Sequence, residues 1–211
     1  AHNNTAVGYE TLAANTTGTR NVALGAYALD ANTVGAKNVA LGMDALGGNV
    51  DGSRSVAIGD SALIAQDPAS AVEMYNTAVG HGAGSSVATG TGNTLIGGTA
   101  GDNITTGSSN IIIGASTDAA SATASNQLNI GNWIYGSGGN IGIGVVPEAW
   151  NSYYTALQIG GNGSISGYST GGDVPGILVS NNAYLNTSSA WSYINNEQAS
   201  TYNQTDGVHY F

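Results

Sequence analysis

The side chains best equipped for chemistry are few and scattered: three histidines, 13 acids and three bases in 211 residues. His2, His81 and His209 show no H-x-x-x-H or H-E-x-x-H spacing, so no pair of imidazoles is set up for zinc. Asp102, in GGTAGDN (97–103), is a single carboxylate where a calcium-binding repeat supplies oxygen ligands at every coil. The Gly-rich stretches lack a following Lys-Ser/Thr and a helix, so they form no phosphate cradle. Glycoside hydrolysis needs two carboxylates flanking the bond, and the late acids Glu148, Asp173, Glu197 and Asp206 show no diagnostic spacing. The expectation is no catalytic residue, no metal and no cofactor.

Two other groupings could bind rather than react. Residues 150–211 hold two of three Trp, seven of eleven Tyr and the one Phe. Aromatic faces stack on sugar rings, so Trp150, Tyr153, Tyr154, Trp191, Tyr193 and Tyr202 are a candidate saccharide site. The same rings would equally fill the core of a small module, where aromatics dominate burial. The three bases, Arg20, Lys37 and Arg54, recur at 17-residue intervals. They read as a cationic ladder for an acidic glycan, or as solvated charges that discourage edge pairing. Like charges stacked at strand spacing repel, so acids or splaying must relieve them.

The formal charge of −10 argues against nucleic acid, whose phosphates demand clustered Lys and Arg. It also argues against a basic patch on anionic lipid; the scattered acids serve solubility. With no cysteine there is no disulfide framework. No window reaches about 18 apolar residues, so no membrane insertion is expected.

The elements that position these residues are set by a repeat. N-x-x-Φ-G units (Φ apolar) occur at NTAVG (4–8), NVALG (21–25), NVALG (38–42), SVAIG (55–59), NTAVG (76–80), NTLIG (93–97), NIIIG (110–114) and QLNIG (127–131). Their closing glycines are Gly8, Gly25, Gly42, Gly59, Gly80, Gly97, Gly114 and Gly131, spaced by 17 except for one interval of 21. Period-two alternation within each unit predicts a short strand. The following YETL, AYAL, MDAL and DSAL predict a second strand, and ANTTG, ANTVG and GNVDG a turn. From residue 76 to 126 the second segment becomes Gly-rich, which predicts a looser one. A 17-residue unit buries no core alone, so the copies must stack as a parallel β-solenoid, strands roughly 4.8 Å apart. The Ala column (Ala6, Ala23, Ala40, Ala57, Ala78) implies a narrow interior. The column Val7, Leu24, Leu41, Ile58, Val79, Ile96, Ile113, Ile130 then lies on the opposite face of the same strand. Two apolar faces on one strand predict self-association.

Two regions break the pattern. The four-residue insertion falls in LIAQDPASAVEMY (63–75), where Glu73, Met74 and Tyr75 are placed to meet a partner or to form a tolerated bulge. After about residue 145 the segments 155–160, 164–169, 176–181 and 190–195 read as strands of an antiparallel-rich β module. The expected division is a repeat shaft over 1–137, a transition over 138–149 and a C-terminal module over 150–211. The chain opens inside a repeat and stops mid-pattern, so it is expected to be part of a longer protein.

The units NTAVGYETLAANTTGTR, NVALGAYALDANTVGAK and NVALGMDALGGNVDGSR resemble the head repeats of trimeric autotransporter adhesins. They are still more similar to the 17-residue variant of bacteriophage tail-fibre proteins, over about residues 3–131. GGNIGIGVVPEAW (138–150) and AWSYINNEQASTYNQTDGVHYF (190–211) resemble fibre modules found upstream of a self-cleaving chaperone. No chaperone catalytic Ser/Lys segment follows. The resemblance implies a left-handed parallel β-roll, a homotrimer, and a virion structural protein that joins tail or capsid proteins and meets host cell-surface polysaccharide. An adhesin head on a bacterial surface, or the non-catalytic part of a polysaccharide-degrading tailspike, remain alternatives.

Overall fold

The computed structural model describes residues 1–149, 154–160, 163–168, 176–181, 183–185, 191–193, 200–205 and 208–210. No helix occurs among them; the protein is all-β. It divides into two compact units, Ala1–Gly131 and Asn132–Phe211.

The first unit is a parallel β-solenoid. Its strands are β1 (Thr5–Val7), β2 (Val22–Leu24), β3 (Val39–Leu41), β4 (Val56–Ile58), β5 (Thr77–Val79), β6 (Thr94–Ile96), β7 (Ile111–Ile113) and β8 (Leu128–Ile130). Each pairs in parallel with the next at the equivalent residue: Ala6 with Ala23, Ala23 with Ala40, Ala40 with Ala57. The insertion leaves this register untouched, because Ala57 still faces Ala78. A three-residue strand is too short to hold a coil, and hydrogen bonding continues around it. In the first pair of coils, Tyr27 N–H donates to Tyr9 O, Leu12 N–H to Ala28 O and Thr16 N–H to Thr33 O.

The second segment of each unit is not a strand. Two of its residues are left-handed: Glu10 and Leu12 (φ 52° and 53°), Tyr27 and Leu29 (59° and 51°), Asp44 and Leu46 (both 54°), Ser61 and Leu63 (56° and 52°). Alternating left-handed residues fold YETL and its equivalents into consecutive turns, because period-two extension needs negative φ throughout. Side chains with φ above zero are uncommon; here every coil repeats them.

The core follows from these turns. The middle residue of each strand points inward, as Ala23, Ala40, Ala57 and Ala78, all fully buried. Opposite it, the second left-handed residue brings in Leu29, Leu46 or Leu63, also fully buried. After residue 76 the large group changes place. Gly84 and Gly101 replace the inward Leu, while Leu95 and Ile112 replace the strand Ala, joined by Val87 and Ile104. The Gly-rich coils are therefore as tightly filled as the rest. A Cβ on Gly84 would stand 2.5 Å from Leu95 Cδ1 and 3.0 Å from Leu63 Cδ2; one on Gly101 would stand 2.7 Å from Leu95 Cδ2.

This exchange has a measurable consequence. Gly84→Leu should overpack and cost about 1–3 kcal/mol, and Leu95→Ala should leave a cavity costing about 2–5 kcal/mol. The double variant gives the fifth coil, whose strand residue is already Ala78, the Ala-Leu pattern of the first four and clears the space at position 95 that the new side chain needs. Denaturation midpoints should show it more stable than the sum of the singles by about 0.5–3 kcal/mol. Simple additivity would rule the exchange out.

At the last coil the interior turns polar. Thr117 is buried there while the Asp118 side chain is exposed, and Asn129 takes the strand-Ala position, its Nδ2 donating to the Asp118 backbone O at 2.7 Å. Partial desolvation pushes the Asp118 carboxyl above its ordinary range, and a hydrogen bond with Asp102 adds to the shift.

The second unit is β-rich and mostly antiparallel. β9 (Ile134–Ser137) and β10 (Asn140–Ile143) form a hairpin, and β10 pairs in parallel with β11 (Tyr154–Ile159). Then β11 pairs with β12 (Gly163–Tyr168), β12 with β13 (Gly176–Asn181), β13 with β16 (Ser200–Thr205) and β16 with β17 (Val208–Tyr210), all antiparallel. A separate hairpin joins β14 (Ala183–Leu185) to β15 (Trp191–Tyr193). The strands expected over 155–160, 164–169, 176–181 and 190–195 each appear, as β11, β12, β13 and β15.

Candidate functional site

The solenoid presents one continuous outward face, built by strand alternation. In β2, Ala23 is fully buried while Val22 and Leu24 are 41% and 48% exposed. The same alternation repeats coil by coil. Val7, Leu24, Ile58 and Ile96 are exposed on one column, and Val22 and Ile111 on the other. Leu41, Val79, Ile113 and Ile130 are half-buried on the first column. The expected second apolar face therefore exists among the described residues of β1–β8: the first column is apolar throughout, and the second is interrupted by Thr5, Thr77 and Thr94.

Behind this face runs a buried amide spine that gives it shape. Asn21, Asn38, Asn76, Asn93 and Asn110 are fully buried at the first position of their units. Each residue, through its backbone N–H and its side chain together, links three coils. The Asn38 backbone N–H donates to Asn21 Oδ1 (2.9 Å), Asn38 Nδ2 donates to Gly52 O (2.8 Å), and Asn38 Oδ1 accepts from Ser55 N–H (2.9 Å). A second ladder runs through the turn asparagines: Asn32 Nδ2 donates to Asn15 Oδ1 and Asn49 Nδ2 to Asn32 Oδ1. The two ladders meet where the pattern breaks. Ser55 stands in an Asn position, and the longer Gln66 spans the gap: its Nε2 donates to Asn49 Oδ1, and its Oε1 accepts from Ser55 Oγ and Asn76 Nδ2. The same device recurs in the second unit, where Asn140 of NIGIG accepts the Ala156 N–H at 2.9 Å.

The repeat glycines sit at the corner of the strand. Gly8, Gly25, Gly42, Gly59, Gly80, Gly97 and Gly114 share φ between 132° and 142°, and Gly131 differs at 59°. A Cβ on Gly42 would stand 2.5 Å from the carbonyl carbon and oxygen of Gly59.

Arg20, Lys37 and Arg54 occupy the residue just before each unit, with φ of 61°, 62° and 64°. Gly92, Asn3 and Asn126 hold that position in other coils. Arg20 and Lys37 are exposed. The insertion answers Arg54: Arg54 Nε and the Tyr75 hydroxyl both donate to Glu73, and the guanidinium lies 5.7 Å from the centre of the Tyr75 ring. The Tyr75 hydroxyl and then Arg54 hold the Glu73 carboxyl below its ordinary value, with Lys37 contributing charge. Of the insertion residues singled out, Glu73 and Tyr75 are exposed and Met74 is fully buried beneath them.

Among the described residues the aromatic candidates fall on three strands. Trp150 and Tyr153 lie outside those residues. Tyr154 opens β11, Tyr202 lies in β16, half-buried and opposite Val179, and Trp191 and Tyr193 belong to the separate β14–β15 hairpin. Exposed aromatics that residue counting overlooked lie elsewhere. Tyr9 packs edge-on to Tyr27 with ring centres 5.4 Å apart, and Trp133 is 79% exposed.

Among the described residues no group of three His, Cys, Asp or Glu could hold a metal ion, and no helix is long and apolar enough to cross a membrane. Comparison with protein-family models, with curated proteins and with solved structures finds no match to the chain.

Proposed function

We propose that this chain is a structural segment of a virion fibre. Three copies lie side by side, project from a phage particle, and position or contribute to attachment to host-surface glycan. One observation carries the reading: an apolar face eight strands long stands open to solvent, with side chains such as Val7 at 57% and Leu24 at 48% exposure. Isolated exposed apolar residues are ordinary, but a contiguous patch of this extent marks an interaction surface. A repeat in strict register supports self-association, because identical copies offer identical spacing. The resemblance of the units to phage-fibre repeats supplies the setting. Attachment in this reading works by avidity, three weak saccharide contacts engaged together. It needs no catalytic group.

Sedimentation of the isolated chain tests the assembly. The expected species has three times the 20.9 kDa mass of one chain, and a stable monomer would overturn the proposal. Binding of that trimer to host-surface polysaccharide, without depolymerising it, tests the role.

A further inference from the structure

Three successive coils place a base at the residue before the unit, and the fold gives these bases no structural task. Arg20, Lys37 and Arg54 stack in one column, and at roughly 4.8 Å per coil the column spans about 10 Å. A charge that guards a strand edge needs an unpaired edge, and here the backbone is already paired. The Arg20, Lys37 and Arg54 N–H groups donate to His2 O, Thr19 O and Ala36 O at 3.2, 2.9 and 3.0 Å. The column also costs stability twice. All three residues are left-handed, at φ of 61°, 62° and 64°. That conformation suits the Asn or Gly found there at Asn3, Gly92 and Asn126. Stacked like charges repel, and neither Arg20 nor Lys37 forms an ion pair among the described residues. Strain kept where the fold does not require it points to function.

The next member of the column shows what kind of ligand it suits. Tyr75 follows Arg54 in the stack, at φ 53°, and is 54% exposed. Glu73 accepts a hydrogen bond from Arg54 Nε and another from the Tyr75 hydroxyl, and the guanidinium lies 5.7 Å from the ring centre. One carboxylate thus fixes both side chains. It engages the guanidinium at Nε and leaves the two terminal nitrogens as an open fork for an acidic group. A row of point charges that ends in a held arginine fork and an exposed ring matches a polymer that carries both acidic groups and apolar ring faces. We infer that the column Arg20, Lys37, Arg54 and Tyr75 binds an acidic polysaccharide, bearing carboxylate or sulfate groups, laid along the solenoid axis. Arg20 and Lys37 each donate to an acidic group, Arg54 takes one in its fork, and Tyr75 meets a sugar ring. Nucleic acid is the poorer match, because three bases in a chain of net charge −10 fall short of the clusters its phosphates demand. This ligand deepens the proposed glycan attachment, on which the site rests, by fixing the charge of the glycan and the residues that read it.

Titration of the full chain with dextran sulfate, polygalacturonate and unsubstituted dextran tests it. The chain should bind at least one of the acidic polymers and not dextran. Arg20→Asn and Lys37→Asn should each weaken that binding about tenfold. Both should also raise the melting temperature, because Asn suits the left-handed column and a repelling charge is gone. A base with a structural task would lower it on replacement. Acidic-polymer binding unchanged in both variants, a lower melting temperature in both, equal binding of dextran, or equal affinity for duplex DNA overturns the site and leaves glycan attachment through another surface standing. So does binding to host-surface polysaccharide without binding to either acidic polymer. Failure to bind any of these polysaccharides overturns both.

Discussion

Asn38→Leu should unfold the coils around it at a denaturant concentration where the unaltered solenoid is intact. Leucine has the same branching and is bulkier, so the loss is not a cavity. The substitution strips the acceptor from the buried Ser55 N–H and removes one of the two donors to Gly52 O, which keeps Asn49 Nδ2. The orphaned Ser55 N–H alone costs about 1–3 kcal/mol. Asn21 Oδ1 keeps its partner, because that bond uses the Asn38 backbone N–H. The damage should therefore run toward the C-terminal side of the substitution. Hydrogen exchange should show faster opening at Ser55 than at Asn21; equal protection at both would refute the directional reading of the spine.

Gly42→Ala should be at least as severe for a different reason. At φ +132° an L side chain is strained, which costs about 1–3 kcal/mol. Its Cβ would also stand 2.5 Å from the Gly59 carbonyl and 2.8 Å from Asp60 N, all backbone held at fixed coil spacing. Relief requires the third and fourth coils to part, so the sum should reach about 3 kcal/mol or more, at the severe end of single substitutions. Gly98→Ala is the control: a Cβ there meets nothing within 4 Å, and its effect should stay within about 0.5 kcal/mol. Equal melting curves for the two variants would show that the corner glycine is not required by coil contact.

Much of the architecture was legible in the chain because in-register stacking writes three-dimensional neighbours as a sequence period. The Gly spacing located every strand of the solenoid, and the Ala and Val/Leu/Ile columns separated inside from outside. The second segment was misread as a strand because Leu and Ala alternate there as they would on one. The corrective signal was present: HGAG puts glycine at both positions that YETL fills with Glu and Leu and AYAL with Tyr and Leu, GTAG puts glycine at the second of them, and glycine at a recurrent position marks positive φ. Gly92, between Asn3 and Asn126 in the basic column, carried the same message. The core exchange was hidden for another reason. Loss of Leu at Gly84 and gain of Leu at Leu95 lie in different columns, and only their contact across the interior joins them. The candidate aromatic site was the least legible, since stacking platforms depend on which strands become neighbours in a module without a repeat.

The amide spine has a direction. Asn4 Oδ1 receives the Asn21 N–H, Asn21 Oδ1 the Asn38 N–H, and Asn93 Oδ1 the Asn110 N–H. Each coil holds out an acceptor to the coil made after it. A ribosome delivers the chain in that same order, so a finished coil is a primed template for the next 17 residues as they emerge. Growth by vectorial templating needs only local closure at each step, which keeps contact formation fast in a protein whose strands pair in parallel. The spine that holds the solenoid together is also a polarity mark for building it.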